Sequence, residues 1–203
     1  PMKKALLLAL FLLMAPMAIA HAKCPKGTTE KVETGKRGSR IVSCVDSKGQ
    51  KQGKETAWAP NGEKSEIEWR DNRREKVTFW YRNGNRRSVT LYKDGKLHGK
   101  YTRWHKSGRI SEEGRYRNNT PYGKSTAWHE NGQKKMEAII AKDGKEDGLW
   151  TEWHENGQKK EQGHYKAGEK NGHWQGWHKN GVRSYAKTLP VQIVNLAKLD
   201  RTP

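Results

Sequence analysis

Six tryptophans at nearly constant intervals constrain this chain more than any other feature. Trp58, Trp80, Trp104, Trp128, Trp153 and Trp177 are separated by 22, 24, 24, 25 and 24 residues. Four residues after each stands a glycine: Gly62, Gly84, Gly108, Gly132, Gly157 and Gly181. The residue before that glycine is Asn61, Asn83, Asn131, Asn156 or Asn180, with Ser107 the exception. Five residues before the tryptophan lies Gly53, Gly99, Gly123, Gly148 or Gly172, and only the second copy differs, with Glu75. A period of this length identifies a tandem array in which one supersecondary unit is repeated.

Each unit reads as a β-hairpin. Asn-Gly is the strongest short signal for joining antiparallel strands, and it predicts a type I′ turn with both central residues at positive φ. A second turn at Asp94-Gly95, Asp143-Gly144 or Ala167-Gly168 closes the unit. Glycine or Asn-Gly every ten or so residues leaves no room for helices of useful length. Six copies with two strands each predict an all-β chain: an elongated, single twisted antiparallel sheet of twelve repeat strands. Trp150 with Trp153, and Trp174 with Trp177, stand three apart and so point to opposite faces of a regular strand. The expectation is an aromatic ladder on both faces, each ring stacking on its equivalent in the next copy.

Composition alone would suggest a disordered polycation, with 32% hydrophobic residues, mean hydropathy −1.14 and net charge +19. Nine Trp and seven Tyr placed in register decide for order.

The termini differ from the array. Lys3-Lys4, the apolar run Ala5 to Ala20 and Ala20-His21-Ala22 together have the pattern of a signal peptide over residues 1–22, cleaved after Ala22. The run is shorter than the roughly 20 residues of a membrane span, and Pro16 interrupts it. Lys23 before Cys24 does not suit a lipoprotein site. Export makes the two cysteines readable: Cys24 and Cys44 are expected to form one disulfide, stabilising by roughly 3 kcal/mol at best. Residues 23–48 then form a capping hairpin with Gly35 and Gly38 in its turn, and 49–185 hold the six repeats. Residues 186–203, with the apolar stretch Leu189 to Leu199, form a C-terminal cap, as helix or strand. Without Lys3 and Lys4, 39 basic residues stand against 22 acidic ones, a charge of about +17 on the mature part.

The units Gly123 to Lys135 and Gly148 to Lys160 resemble bacterial variant MORN repeats (membrane occupation and recognition nexus), a group often labelled YwqK-type antitoxins. The resemblance covers about Gly49 to Tyr185. It implies a hairpin array used as a scaffold or binding surface, and the label implies an antitoxin-like protein.

Three rows follow from stacking equivalent positions. Six residues after the tryptophans stand Lys64, Arg86, Lys134, Lys159 and Arg183, with Ile110 breaking the row. Such a stripe suits a polyanion or an anionic lipid surface, or serves as a solvated face that keeps strand edges apart. His105, His129, His154 and His178 follow their tryptophans, where Ala59 and Tyr81 stand in the first two copies. They read as turn-flanking rings that hydrogen-bond the loop rather than as a metal site. The Trp and Tyr rings themselves read as core, with stacking on sugar rings as the alternative.

No arrangement suited to catalysis stands apart from the repeat, so no enzyme activity, cofactor or metal is expected. The function expected is a non-enzymatic exported binding or scaffolding surface at the bacterial envelope, facing an anionic lipid or polymer or a protein partner. An antitoxin-like or immunity-type protein that occludes a toxin is the alternative, and cell-wall glycan binding a further one. Export argues against nucleic acid as the partner.

Overall fold

The computed structural model describes residues 23–35 and 38–190. The signal-peptide expectation, and that part of the C-terminal cap beyond Pro190, lie outside the described residues. Among those described there is no helix, and fifteen strands join in one open antiparallel sheet. The cap strands are β1 (Thr29–Thr34) and β2 (Arg40–Val45). The array then runs through β3 (Lys51–Trp58), β4 (Lys64–Arg70), β5 (Arg73–Trp80), β6 (Arg86–Lys93), β7 (Lys96–Trp104) and β8 (Ile110–Arg117). It continues through β10 (Gly123–Trp128), β11 (Lys134–Ile140), β12 (Glu146–Trp153), β13 (Lys159–Lys166), β14 (Glu169–Trp177) and β15 (Arg183–Leu189). The two-residue β9 (Thr120–Pro121) pairs only with β8. The repeat strands are thus the expected twelve, and the cap and β9 supply the rest. Every strand on the main path pairs with its neighbours in chain order, across roughly 60 Å of sheet.

The turns differ from the expected type. None of Asn61, Asn83, Asn131, Asn156 and Asn180 has positive φ; only the glycine after each does, with φ between 82° and 89°. In each case the glycine N–H donates to the carbonyl three residues back, as from Gly157 to His154 at 2.9 Å. This is a three-residue loop, a type I turn followed by a left-handed glycine. True two-residue loops with both central residues at positive φ occur at the opposite edge: Asp71-Asn72, Asp94-Gly95, Asn118-Asn119 and Ala167-Gly168. Asp143-Gly144, expected there as well, is instead a three-residue loop, with Gly144 bonding the Ala141 carbonyl at 3.1 Å.

The glycine five residues before the tryptophan also has a structural cause. Gly53, Gly99, Gly123, Gly148 and Gly172 all take positive φ. Beside Gly53, Gly99, Gly148 and Gly172 the register shifts, four residues of the strand spanning two of its neighbour. Such a bulge needs a residue without Cβ strain at that φ.

The two faces are unlike. One carries the repeat tryptophans and, two residues before them, Thr56, Thr78, Thr102, Thr126 and Thr151; all but Thr56 are buried. The other carries the apolar rows, including Ile67, Val77, Tyr101, Ala138, Trp150 and Trp174. There Trp174, fully buried, lies over Gly163, and Tyr101 lies over Gly114; a Cβ on either glycine would overlap the ring. Trp150 and Trp174 stack at 5.7 Å, with Tyr165 edge-on to both. The repeat tryptophans make no ring pair with one another among the described residues, so the expected ladder on their face is replaced by another contact, described below. At the N-terminal end a disulfide joins Cys24 to Cys44, Cα atoms 5.5 Å apart. It ties the segment before β1 to β2 rather than strand to strand, and it brings Pro25 against Gly53.

Candidate functional site

The repeat positions fall on the edge where the three-residue turns lie, and there they connect copies. Nε2 of His105, His129 and His154 donates to the carbonyl of Trp128, Trp153 and Trp177, at 2.9, 2.9 and 2.8 Å. Tyr81 does the same with its hydroxyl, to the Trp104 carbonyl at 2.8 Å. The asparagines work in two directions. Asn131 Oδ1 accepts from Gln133 N at 3.0 Å within its own loop, while Nδ2 donates to the Glu155 carbonyl of the next copy at 2.5 Å. Asn83 reaches the Lys106 carbonyl and Asn156 the Lys179 carbonyl in the same way. A histidine nitrogen engaged with a backbone carbonyl is a structural pin. His105 Nδ1 also lies 2.8 Å from Glu130. His178, in the last copy, has no following tryptophan to bond.

The basic row is placed just across each hairpin from its tryptophan: Trp58 pairs with Lys64, Trp80 with Arg86, Trp128 with Lys134, Trp153 with Lys159 and Trp177 with Arg183. Three of its members lie over the ring of the following copy. Lys64 Nζ is 4.0 Å from the Trp80 centroid, Lys134 5.5 Å from Trp153 and Lys159 5.9 Å from Trp177. The rings that were expected to stack on one another are therefore interleaved with cations, each contact contributing about 0.5–1 kcal/mol at a partly exposed site. Lys64 and Lys134 are further held by Glu66 and Glu137 at 3.0 and 2.9 Å. At Trp128 the covering position is Ile110, and Arg86 does not lie over Trp104, so neither ring has a cation over it among the described residues.

A second row of cations emerges on this face. Lys54, Lys76, Lys100 and Lys124 stand four residues before their tryptophans, beside the threonine row. Each has a carboxylate on an adjacent strand: Lys54–Glu66 at 3.2 Å, Lys76–Glu68 at 2.9 Å, Lys100–Glu113 at 2.6 Å and Lys124–Glu137 at 2.9 Å. Burial raises the Glu66 and Glu137 carboxyls, but two lysines on each outweigh it and hold both below the ordinary value. The period that revealed the tryptophans reveals these lysines too, since they occupy one position in four consecutive copies. Leu149 and His173 end the row.

Two hollows border the polar face. One, of about 390 Å³, is lined by Lys100, Glu113, Arg115, Lys124, Thr126, Trp128, Lys134 and Glu137. The other, of about 290 Å³, lies at the turn edge of the first copies and is mainly apolar, with Ile41, Trp58, Pro60, Phe79 and Trp80. Among the described residues no group of three or more His, Cys, Asp or Glu is arranged to hold a metal ion.

The family model of the MORN repeat variant matches residues 97–118 and 146–167, each a complete hairpin from bulge strand through tryptophan and turn to return strand. No curated protein matches the chain in sequence. Similar solved structures include a mutant of S. aureus TarM in complex with fondaparinux, alpha-GlcNAc-glycerol and UDP. It is 17% identical with a TM-score of 0.34, over 60% of this chain and 21% of that one. Another is TarM, 16% identical with a TM-score of 0.27, over 56% of this chain and 20% of that one. The chain thus spans about a fifth of the length of those structures.

Proposed function

We propose that this chain, a variant MORN repeat protein, is an exported, non-enzymatic binding surface that engages an anionic partner through the face carrying its tryptophan, threonine and lysine rows. The observation that carries the reading is the second lysine row, four cations in register on one face of a pinned sheet. A net charge of about +17 on the mature part exceeds what solubility needs. The cross-copy hydrogen bonds hold the rows in place before a partner arrives, which lowers the entropy lost on binding. The disulfide suits an oxidising compartment such as the periplasm.

The test uses mature protein, from Lys23, against bacterial envelope fractions and vesicles of phosphatidylglycerol with phosphatidylcholine. Binding should weaken steeply between about 50 and 200 mM salt as exposed charges are screened. Salt-independent capture of one protein would favour the second reading, an immunity-type protein with its contact at the apolar hollow of Ile41, Pro60 and Phe79. Absence of binding to any anionic fraction at low salt would contradict the first.

A further inference from the structure

The polar face is not uniform along the array: cations oppose one another at two turns, Arg70 with Arg73 and Lys93 with Lys96, and once within the strands. In the first two copies the lysine row alternates with acid: Lys54 pairs in register with Glu68, and Glu68 with Lys76. In the third copy the residue paired with Lys100 is Arg115. Directly opposed residues of an antiparallel pair have Cβ atoms about 4.5–5.5 Å apart, where like charges are destabilising. Lys124, two residues before Thr126, lines the same hollow on the next strand of the sheet. Glu113 compensates Lys100, and Glu137 compensates Lys124 and Lys134. Arg115 has no carboxylate partner among the described residues. The hollow therefore holds four cations against two carboxylates.

The same hollow also contains one of the two repeat rings that the interleaving leaves open, Trp128, the other being Trp104. Lys64, Lys134 and Lys159 cover Trp80, Trp153 and Trp177, and Arg40 lies over Trp58. At Trp128 the covering position is Ile110, and no cation lies over that ring among the described residues. Trp128 stands at one end of the hollow and the Lys124 position at the other, four residues apart along β10, so the span is about 13 Å. Thr126 and the carboxylates Glu113 and Glu137 lie between, as hydrogen-bonding groups.

We infer that this hollow is a binding site for a segment of an acidic glycan, with a sugar ring on Trp128 and a negatively charged substituent on Arg115, Lys100 and Lys124. An aromatic platform beside a cluster of cations, with hydroxyl and carboxylate groups between, meets the three chemistries such a polymer presents: an apolar ring face, hydroxyls and a fixed negative charge. The inference deepens the proposed function, since it rests on the polar face being the binding face and names the ligand class there. An anionic lipid surface would also meet the cations, but it makes no demand for an open ring at the far end of a narrow hollow.

The like-charge pair gives the inference a signature that a solubilising surface lacks. A cation kept for its ligand destabilises the empty protein, so removing it should raise stability while lowering affinity. The experiment measures thermal unfolding and the affinity for trigalacturonic acid, with trigalactose as the neutral comparison, for wild type, R115Q, W128A and the control K142Q. Lys142 is exposed, in a turn away from the hollow. R115Q should lose at least about tenfold in affinity while its Tm rises. W128A should lose affinity too, whatever its Tm. K142Q should change neither by a comparable amount, and trigalactose should bind more weakly than the acid. Equal losses in R115Q and K142Q, or a Tm that falls in R115Q, would overturn the site. Binding of phosphatidylglycerol vesicles without trigalacturonic acid would overturn the glycan while leaving the anionic face intact. Failure to bind either probe at low salt would overturn both.

Discussion

The two edges of the sheet solve one problem, holding each copy against the next, with different parts of the chain. On the tryptophan side the turn reaches forward with side chains: His154 to the Trp177 carbonyl, Asn156 to the Lys179 carbonyl. On the opposite side the turn reaches back chiefly with its own backbone, Asn72 and Asn119 adding an Oδ1 that accepts from Lys51 N and Leu97 N. Asn72 N donates to the Lys51 carbonyl, Asn119 N to that of Leu97 and Gly168 N to that of Glu146. A side-chain contact demands a particular residue, while a backbone contact demands only a turn shape. The tryptophan edge accordingly repeats as Trp-His-x-Asn-Gly, whereas the other edge accepts Asp-Asn, Asn-Asn and Ala-Gly at the same task. Coupling between neighbours is what lets an array of weakly apolar hairpins accumulate stability copy by copy.

Substitutions at the turns should separate the edges most clearly. Replacing Gly157 by Val on the tryptophan edge should cost about 2 kcal/mol or more, because a β-branched residue resists a φ of 82° and its Cβ would meet Gln133. Replacing Gly168 by Asn on the other edge should cost less than about 1 kcal/mol, since asparagine tolerates that region and meets only ordinary contacts with Lys145. Urea unfolding midpoints compare the two directly, and equal losses would erase the distinction.

Next in size is the pin itself. His154→Ala leaves the Trp177 carbonyl without its donor and should cost about 1–2 kcal/mol. His154→Tyr should recover most of that, because Tyr81 makes the same bond in the second copy. If tyrosine is no better than alanine, the histidines hold something other than the neighbouring backbone. Asn131→Asp should cost less, about 0.5–1 kcal/mol. It keeps the acceptor for Gln133 N and loses only the exposed donor to Glu155.

The smallest effect is a pH dependence at the far C-terminal end of the apolar face, where Glu161 accepts from Tyr185 and from Lys170 Nζ at 2.7 Å. Burial raises the Glu161 carboxyl, but Lys170 and Tyr185 outweigh it and lower it below its ordinary value. Its stabilisation is present above the unfolded carboxylate range and is lost as pH falls through the lowered value. Burial first, and then the bond to Glu161, push the Tyr185 phenol up to about 12. Its stabilisation is complete below the ordinary tyrosine value near 10 and fades as pH rises towards 12. Tyr185→Phe should flatten the alkaline limb of the stability–pH curve and shrink the acid limb, which Lys170 still supports. An unchanged alkaline limb would place that titration elsewhere.

Much of this architecture is legible in the residues, for reasons the two edges explain. The hairpin count and the disulfide follow from Trp58 to Trp177 and from Cys24 with Cys44 because each depends on side-chain identity. The turn class at Asn-Gly was not legible: the same dipeptide fits a type I′ turn or a type I turn followed by a left-handed glycine, and Asn156 gains more from bonding Lys179 than from positive φ. The cations over Trp80, Trp153 and Trp177 were hidden because stacking between copies depends on register across strands, which spacing along the chain does not show. The row Lys54, Lys76, Lys100 and Lys124 lay in plain sight at a fixed offset, but its pairing with Glu66, Glu68, Glu113 and Glu137 depends on that same register across strands.

Under the proposed function two basic rows divide the labour, one holding copies together and one meeting a partner. The direct test is charge reversal in each, Lys100→Glu with Lys124→Glu against Lys159→Glu with Arg183→Glu, two changes that alter net charge equally. Affinity for bacterial envelope fractions at about 50 mM salt, the condition where exposed charges are least screened, is the quantity to measure. The Lys100/Lys124 pair should lose roughly tenfold or more in affinity, and the Lys159/Arg183 pair should lose far less binding while unfolding at lower urea. Equal losses of binding in the two double variants would contradict the division and reduce both rows to bulk charge.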